Sequence, residues 1–189
     1  MLTFNAVNAF PFRVDWAFAR MRENVTDFDK LESPRLALDR FDRILRKWLN
    51  EDRLFQRLAL GVVVLAPVTD RLEGYRAVQP YLPAVKLSPE TSSDFQYQIN
   101  RPRISTVVTG LKVNRLSHWS VAVQRQIGFV GTLQGLHQAE AFETYACRAA
   151  LDVNSDADRT EPLPREHVSN LWQEFEGLAI ELANGGDVP

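Results

Sequence analysis

The sequence predicts an α+β fold: a two-layer arrangement with a mostly antiparallel sheet of about six strands and about three helices packed on one face. Three observations lead there. Two segments carry apolar residues at helical spacing, Leu38 to Asn50 and Val168 to Leu182. Several others alternate apolar and polar residues with a period of two, as half-buried strands do. The strand-like runs between Asp94 and Phe129 follow one another through short turn words, the pattern of an antiparallel meander. A chain of 189 residues has the size of one domain, here residues 1–189, able to bury roughly 70% of the surface its unfolded form exposes.

From Phe10 to Met21 the even positions Phe10, Phe12, Val14, Trp16 and Phe18 are apolar, which predicts a strand. Ser33 before Pro34 is a helix start: a capping hydroxyl, then the one residue that loses nothing by lacking an N–H in the first turn. Leu38, Phe41, Ile44, Leu45, Trp48 and Leu49 form its apolar stripe, with Arg40, Asp42, Arg43 and Lys47 on the wet side. Leu58 to Pro67, LALGVVVLAP, is apolar at both parities, which predicts a strand covered on both faces or a central strand under a helix. Asp70 and Glu73 have capping-box spacing and open a short helix through Leu72, Tyr75, Val78 and Leu82, closed by Pro80 and Pro83. Residues 84–93, with Pro89 and three serines, read as a surface connection.

In the central stretch Phe95, Tyr97 and Ile99 alternate with Gln96, Gln98 and Asn100. A turn at Arg101-Pro102 leads to a strand through Val107, Leu111 and Val113, and a second turn at Asn114–His118 leads to Trp119, Val121, Val123, Ile127 and Phe129. Gly128, Gly131 and Gly135 mark a loop, after which Tyr145, Cys147, Ala149, Leu151 and Val153 are the apolar set of another strand. Pro164 opens the last helix, with Val168, Leu171, Trp172, Phe175, Leu178 and Leu182 in one stripe and Asn184-Gly185-Gly186 as its stop.

Hydrophobic residues at 45% and charged residues at 24% are the proportions of a soluble globular protein. A net charge of −2 provides no overall basic field, so nucleic acid could bind only at a local patch. One cysteine, Cys147, cannot form an internal disulfide, the opening residues MLTFNAVNAFPFRVDW have neither a basic n-region nor an uninterrupted apolar run, and no segment reads as spanning-length; the expected location is the cytoplasm, with no membrane partner. Hydrolase, Walker and dinucleotide signatures are missing, and His118, His137 and His167 have no ligand spacing. Asp152 to Asp158 alternates oxygen side chains as a calcium loop does, but Ala157 stands where the turn needs glycine and Leu163 where a bidentate glutamate belongs. It is read as a solvated acidic loop, and no metal or other cofactor is expected.

The two Asn/Arg words hold the candidate site. Gln96, Gln98, Asn100, Arg101, Arg103, Asn114, Arg115, His118 and Trp119 fall within a short span. Arginine, amide and aromatic groups together are what protein interfaces enrich. They also grip phosphates and stack on unpaired bases.

LGVVVLAPVTDRLEGYRAVQPYLP, FQYQINRPR, KVNRLSHWSV and ALDVNS resemble the words of a sporadically distributed bacterial family of conserved proteins of unknown activity. That family places an INR word in one strand and an LD[IV]N word before a C-terminal helix. The resemblance covers Leu58 to Ala183, and the opening residues depart from the proline-rich, acidic start typical of the family. It implies a bacterial cytoplasmic protein and supplies no catalytic residues. The expected function is a non-enzymatic interaction or assembly protein, an adaptor or subunit that docks a protein partner or itself through the meander. The alternatives are RNA or single-stranded DNA binding on the same surface, and an enzyme whose site is assembled from distant residues.

Overall fold

A computed structural model of the chain describes residues 2–10, 13–21, 34–132 and 135–189, and the side chains of 14–17, 35–125 and 143–189. Leu2–Phe10 (β1) and Arg13–Met21 (β2) pair as an antiparallel hairpin. Pro34–Leu49 is α1 and Arg71–Val78 is α2, the latter followed by a 3₁₀ turn at Gln79–Tyr81; Val168–Gly185 is α3. The main sheet has Ala59–Val68 (β3), Gln96–Asn100 (β4), Arg103–Ile104 (β5), Lys112–Thr132 (β6) and Gly135–Ser155 (β7). All its pairings are antiparallel, in the order β3-β7-β6-β4, with β5 on β6 beside β4.

The pleat decides what lies under the helices. Val113, Arg115, Ser117 and Trp119 of β6 are buried opposite Val153, Leu151 and Ala149 of β7, all at odd positions. These face α2 and α3, and α1 packs on α3. Val168, Leu171, Trp172, Phe175, Ala179 and Leu182 form the buried stripe of α3, each large apolar side chain contributing about 1.5–3 kcal/mol by leaving water. Phe41 of α1 meets Trp172 with centroids 6.1 Å apart, and Trp48 meets Phe55 at 5.2 Å and Trp16 of β2 at 5.9 Å. Gly74 lets α2 approach the sheet closely: a Cβ there would lie 2.8 Å from Val121 Cγ2. The Asp70 carboxylate caps α2 by accepting from Glu73 N at 2.7 Å. Glu73 in turn accepts from the N–H and hydroxyl of Thr69, one residue before the reciprocal partner of a standard box. Among the described residues, no helix is long and apolar enough to cross a membrane.

The α+β class and the placement of helices on one face stand as the sequence predicts; several element assignments do not. The main sheet has five strands, not about six. The alternation read as one strand from Phe10 to Met21 is split between two strands of a hairpin, Phe10 ending β1 and Arg13 opening β2. Ser33 and Phe12 lie outside the described residues, as do the side chains of Phe10, Phe18, Ile127, Phe129 and His137. Strand β3 is at a sheet edge with one face bare, so its apolar run is not a sign of double coverage; Val63 is 55% exposed.

The supposed second turn, Asn114–His118, is the interior of β6. The turn falls at Ser105–Leu111 instead. There the Ser105 hydroxyl accepts from Val107 N at 3.1 Å and Val108 N at 3.0 Å, and Gly110 adopts φ +73°. The glycines 128, 131 and 135 do not end the strand; β6 and β7 pair on to Thr132 and Gly135, with a register shift between Ile127 and Phe129, where one residue of β6 stands against two of β7. Asp152 to Ser155 belongs to β7 and is not part of a loop.

Candidate functional site

Within each Asn/Arg word the pleat sends neighbours to opposite faces. The arginines go under the helices. Arg101 forks onto Asp187, Nε to Oδ1 at 2.7 Å and NH2 to Oδ2 at 2.9 Å, and the Tyr97 hydroxyl donates to the same Oδ2 at 2.7 Å. The Arg101 guanidinium thereby holds the Asp187 carboxyl below the usual aspartate range. Arg103 forks onto Glu181 at 3.0 and 2.7 Å. Arg115 is fully buried, and its three guanidinium nitrogens make no hydrogen bond; Glu181 Oε1 stands 3.4 Å away. Burial pulls the Arg115 pKa down and the Glu181 charge partly restores it. Trp119 is also interior, stacked on Tyr81 with centroids 5.2 Å apart and planes at 19°. Arg115 and Trp119 are therefore inside the protein, and Arg101 and Arg103 are clamps on the C-terminal end of α3.

The asparagines of the same words go to the opposite face and meet there. Asn100 Nδ2 donates to Asn114 Oδ1 at 3.0 Å, and Asn114 Nδ2 donates to Asn154 Oδ1 at 3.1 Å. Asn154 completes the row, accepting from Arg57 NH2 at 3.1 Å and donating to Asp152 Oδ1 at 2.9 Å. Asn100 Oδ1 also accepts the main-chain N–H of Arg115 at 3.0 Å. The row stitches β4, β6 and β7 at one end of the sheet.

Beside this row Gln98, His118 and Asp152 rim a shallow hollow of about 190 Å³, with Leu116 and Ala150 in its lining. Gln96 and Gln98 are exposed and His118 is half-buried. An amide, an imidazole and a carboxylate around apolar carbons can hold both the main-chain groups and an apolar side chain of an extended segment. Of the nine residues singled out in the sequence, Gln96, Gln98, Asn100, Asn114 and His118 share this face; Arg101, Arg103, Arg115 and Trp119 do not.

A cleft between α1 and α3 was not visible in the sequence. It holds about 320 Å³ and is lined by Arg35, Asp39, Asp42 and Arg46 of α1 and by Gln173 and Glu176 of α3, among others. Asp42, expected on the wet side of α1, is buried; Arg46 pairs with its Oδ2, while its Oδ1 and Glu176 Oε1 are buried without a hydrogen bond. Burial, and then the Asp42 charge, push the Glu176 carboxyl up to about 7. The only hint in the sequence was the Asp42–Arg46 spacing of one helical turn. Among the described residues, no group of three or more His, Cys, Asp or Glu side chains could hold a metal ion. Cys147 donates its S–H to the Gly74 carbonyl at 3.2 Å, and burial raises its pKa, which leaves it a poor nucleophile.

No family model matches the chain, and neither a curated protein nor a solved structure matches it. The asparagines of the INRPR, NRLSHW and LDVNS words are the three of the row.

Proposed function

We propose that the chain is a non-enzymatic interaction protein, an adaptor or subunit that docks a protein partner on the face of the sheet that carries no helix. The observation that supports this reading is the hollow rimmed by Gln98, His118 and Asp152, set among further exposed amides at Gln96 and Asn100. Groups of this kind bind an extended polypeptide: the amide and carboxylate take its N–H and C=O groups, and Leu116 with Ala150 takes a side chain. The nucleic-acid alternative draws less support, because Arg101, Arg103 and Arg115 lie on the other side and two of them are clamped by carboxylates.

A photo-crosslinking residue placed at Gln98 in the full chain tests the reading, with one at Arg43 on α1 as control. A discrete protein adduct at position 98, lost on His118→Arg and missing at position 43, is the expected result. No adduct at 98, or the same adducts at both positions, overturns it. Salt-sensitive retention of a single-stranded oligonucleotide, lost on Gln98→Glu, would favour the nucleic-acid alternative.

A further inference from the structure

The two edges of the main sheet are built differently. On one side β4 and β5 are five and two residues long and are separated by Arg101-Pro102. Short strands, a proline and charges are the means by which a sheet edge is closed to further pairing. On the other side β3 runs ten residues as ALGVVVLAPV, without a charge and with no proline before Pro67. Ala59, Gly61, Val63, Ala66 and Pro67 are exposed. Among the described residues no strand pairs with this edge, and a long, apolar, open edge of this kind invites another strand.

The backbone groups it offers can be assigned. The Leu58 carbonyl accepts from Ser155 N at 3.0 Å, which marks Leu58 as a position bonded to β7. The register continues Leu60 to Val153, Val62 to Leu151 and Val64 to Ala149, so even positions bond inward. Alternation in an antiparallel ladder then turns the N–H and C=O of Ala59, Gly61, Val63 and Leu65 outward. Pro67, which has no N–H, falls in this outward set, where an edge strand tolerates it.

We propose that this edge pairs, antiparallel, with β3 of a second copy of the chain about a two-fold axis at Val62. In that register Gly61 faces Val63 of the other copy and Ala59 faces Leu65. Every outward N–H from Ala59 to Leu65 meets an outward carbonyl, and Pro67 lies beyond the paired run. The occupant is a second copy because the run is self-complementary. A two-fold axis sets Val62 against its own copy and pairs the rest of the run with itself, so that a charge in the run would be brought near its own copy; residues 59–65 hold none. Gly61 has open space where a Cβ would stand, so the exposed Val63 of the other copy has room beside it. The two sheets of five become one continuous sheet. This goes beyond docking at the hollow and uses a different surface, so failure of either leaves the other standing.

Sedimentation of the full chain and directed cross-linking test it together. The wild type is expected to sediment as a dimer, and Val63→Lys as a monomer with an unchanged circular dichroism spectrum, since Val63 is 55% exposed. In a Cys147→Ser background, Val62→Cys is expected to oxidise to a covalent dimer, because residues facing each other across the axis at a non-hydrogen-bonded position have Cα atoms about 4.5 Å apart. Val64→Cys should not, because its mate is four residues away along the strand, roughly 13 Å. A monomeric wild type at the highest attainable concentration, a dimer that survives Val63→Lys, or equal cross-linking by both cysteine variants overturns the proposal. Should Val62→Cys misfold, the Val63→Lys comparison still decides.

Discussion

Asn114 and Asn154 stand directly opposite each other in the β6–β7 register, and the amide nitrogen of Asn114 donates to the side-chain oxygen of Asn154 at 3.1 Å. This bond joins two words that are 40 residues apart in the chain. Asparagine suits the position because one side chain both donates and accepts, so a row of them can pass hydrogen bonds from strand to strand.

Asn154 is the hub of that row, 3% exposed and bonded to Arg57, Asn114 and Asp152. Asn154→Ala is expected to cost about 1–3 kcal/mol, since it strands a half-buried donor of Asn114 as well as removing the bonds of a buried side chain. Urea unfolding checks this. A loss within a few tenths of a kcal/mol would mean that water replaces the amide without cost.

Arg115 is a buried cation that shares Glu181 with Arg103. Desolvation of such a group commonly outweighs its ion pair, so Arg115→Met should be neutral or stabilise by about 1–2 kcal/mol. Glu181→Gln should destabilise the wild type by about 1–3 kcal/mol and the Arg115→Met variant by less, because only the wild type then keeps a buried charge with no counter-charge beside it. A double-mutant cycle on unfolding free energies measures the difference. Strict additivity would show that Glu181 acts through Arg103 alone.

The pleat explains which parts of the site could be read in advance. Periodicity located α1, α2, α3 and β3 closely, because each buries one stripe or one run that the chain states locally. It misjudged Asn114–His118, where Asn-Arg looks like a turn word but a strand admits both residues by sending them to opposite faces. The carboxylates that hold the arginines, Glu181 and Asp187, lie some 80 residues further along the chain, and no local pattern announces them. The same is true of the α1–α3 cleft, whose charged groups meet only when the two helices pack. Edge or centre, for β3, depends on the strand order, which composition does not encode.

Two glycines, one in the middle of α3 and one just past its C-terminal end, should respond to alanine in opposite directions. Gly186 has φ +76°, and a Cβ there would lie 2.1 Å from the Tyr81 carbonyl oxygen, which also accepts the N–H of Asp187. Gly186→Ala should therefore cost more than about 1 kcal/mol and loosen the Arg101 clamp. Gly177 is mid-helix with open space around it, and Gly177→Ala should gain about 0.5–1 kcal/mol from helix propensity. Thermal melts of the two variants are expected to shift in opposite directions.

Glu176 makes stability depend on pH. Its carboxyl titrates near 7 in the folded chain against an ordinary value of 4.5. Between those values the unfolded chain has lost the proton that the folded chain still holds, so unfolding releases a proton and stability falls as pH rises. Below 4.5 the carboxyl is protonated in both states and costs nothing; above 7 the full penalty of a charge beside Asp42 is felt. Arg46 offsets part of it, and Asp39 adds to it. Glu176→Gln removes the ionisation, and allowing for partial solvent access it should stabilise the protein by about 1–2 kcal/mol near pH 8. The gain should vanish near pH 4, where the wild-type carboxyl is itself neutral. Unfolding free energies of the two proteins measured across this range should diverge between those limits; parallel curves would mean that Glu176 keeps an ordinary carboxyl in the folded chain.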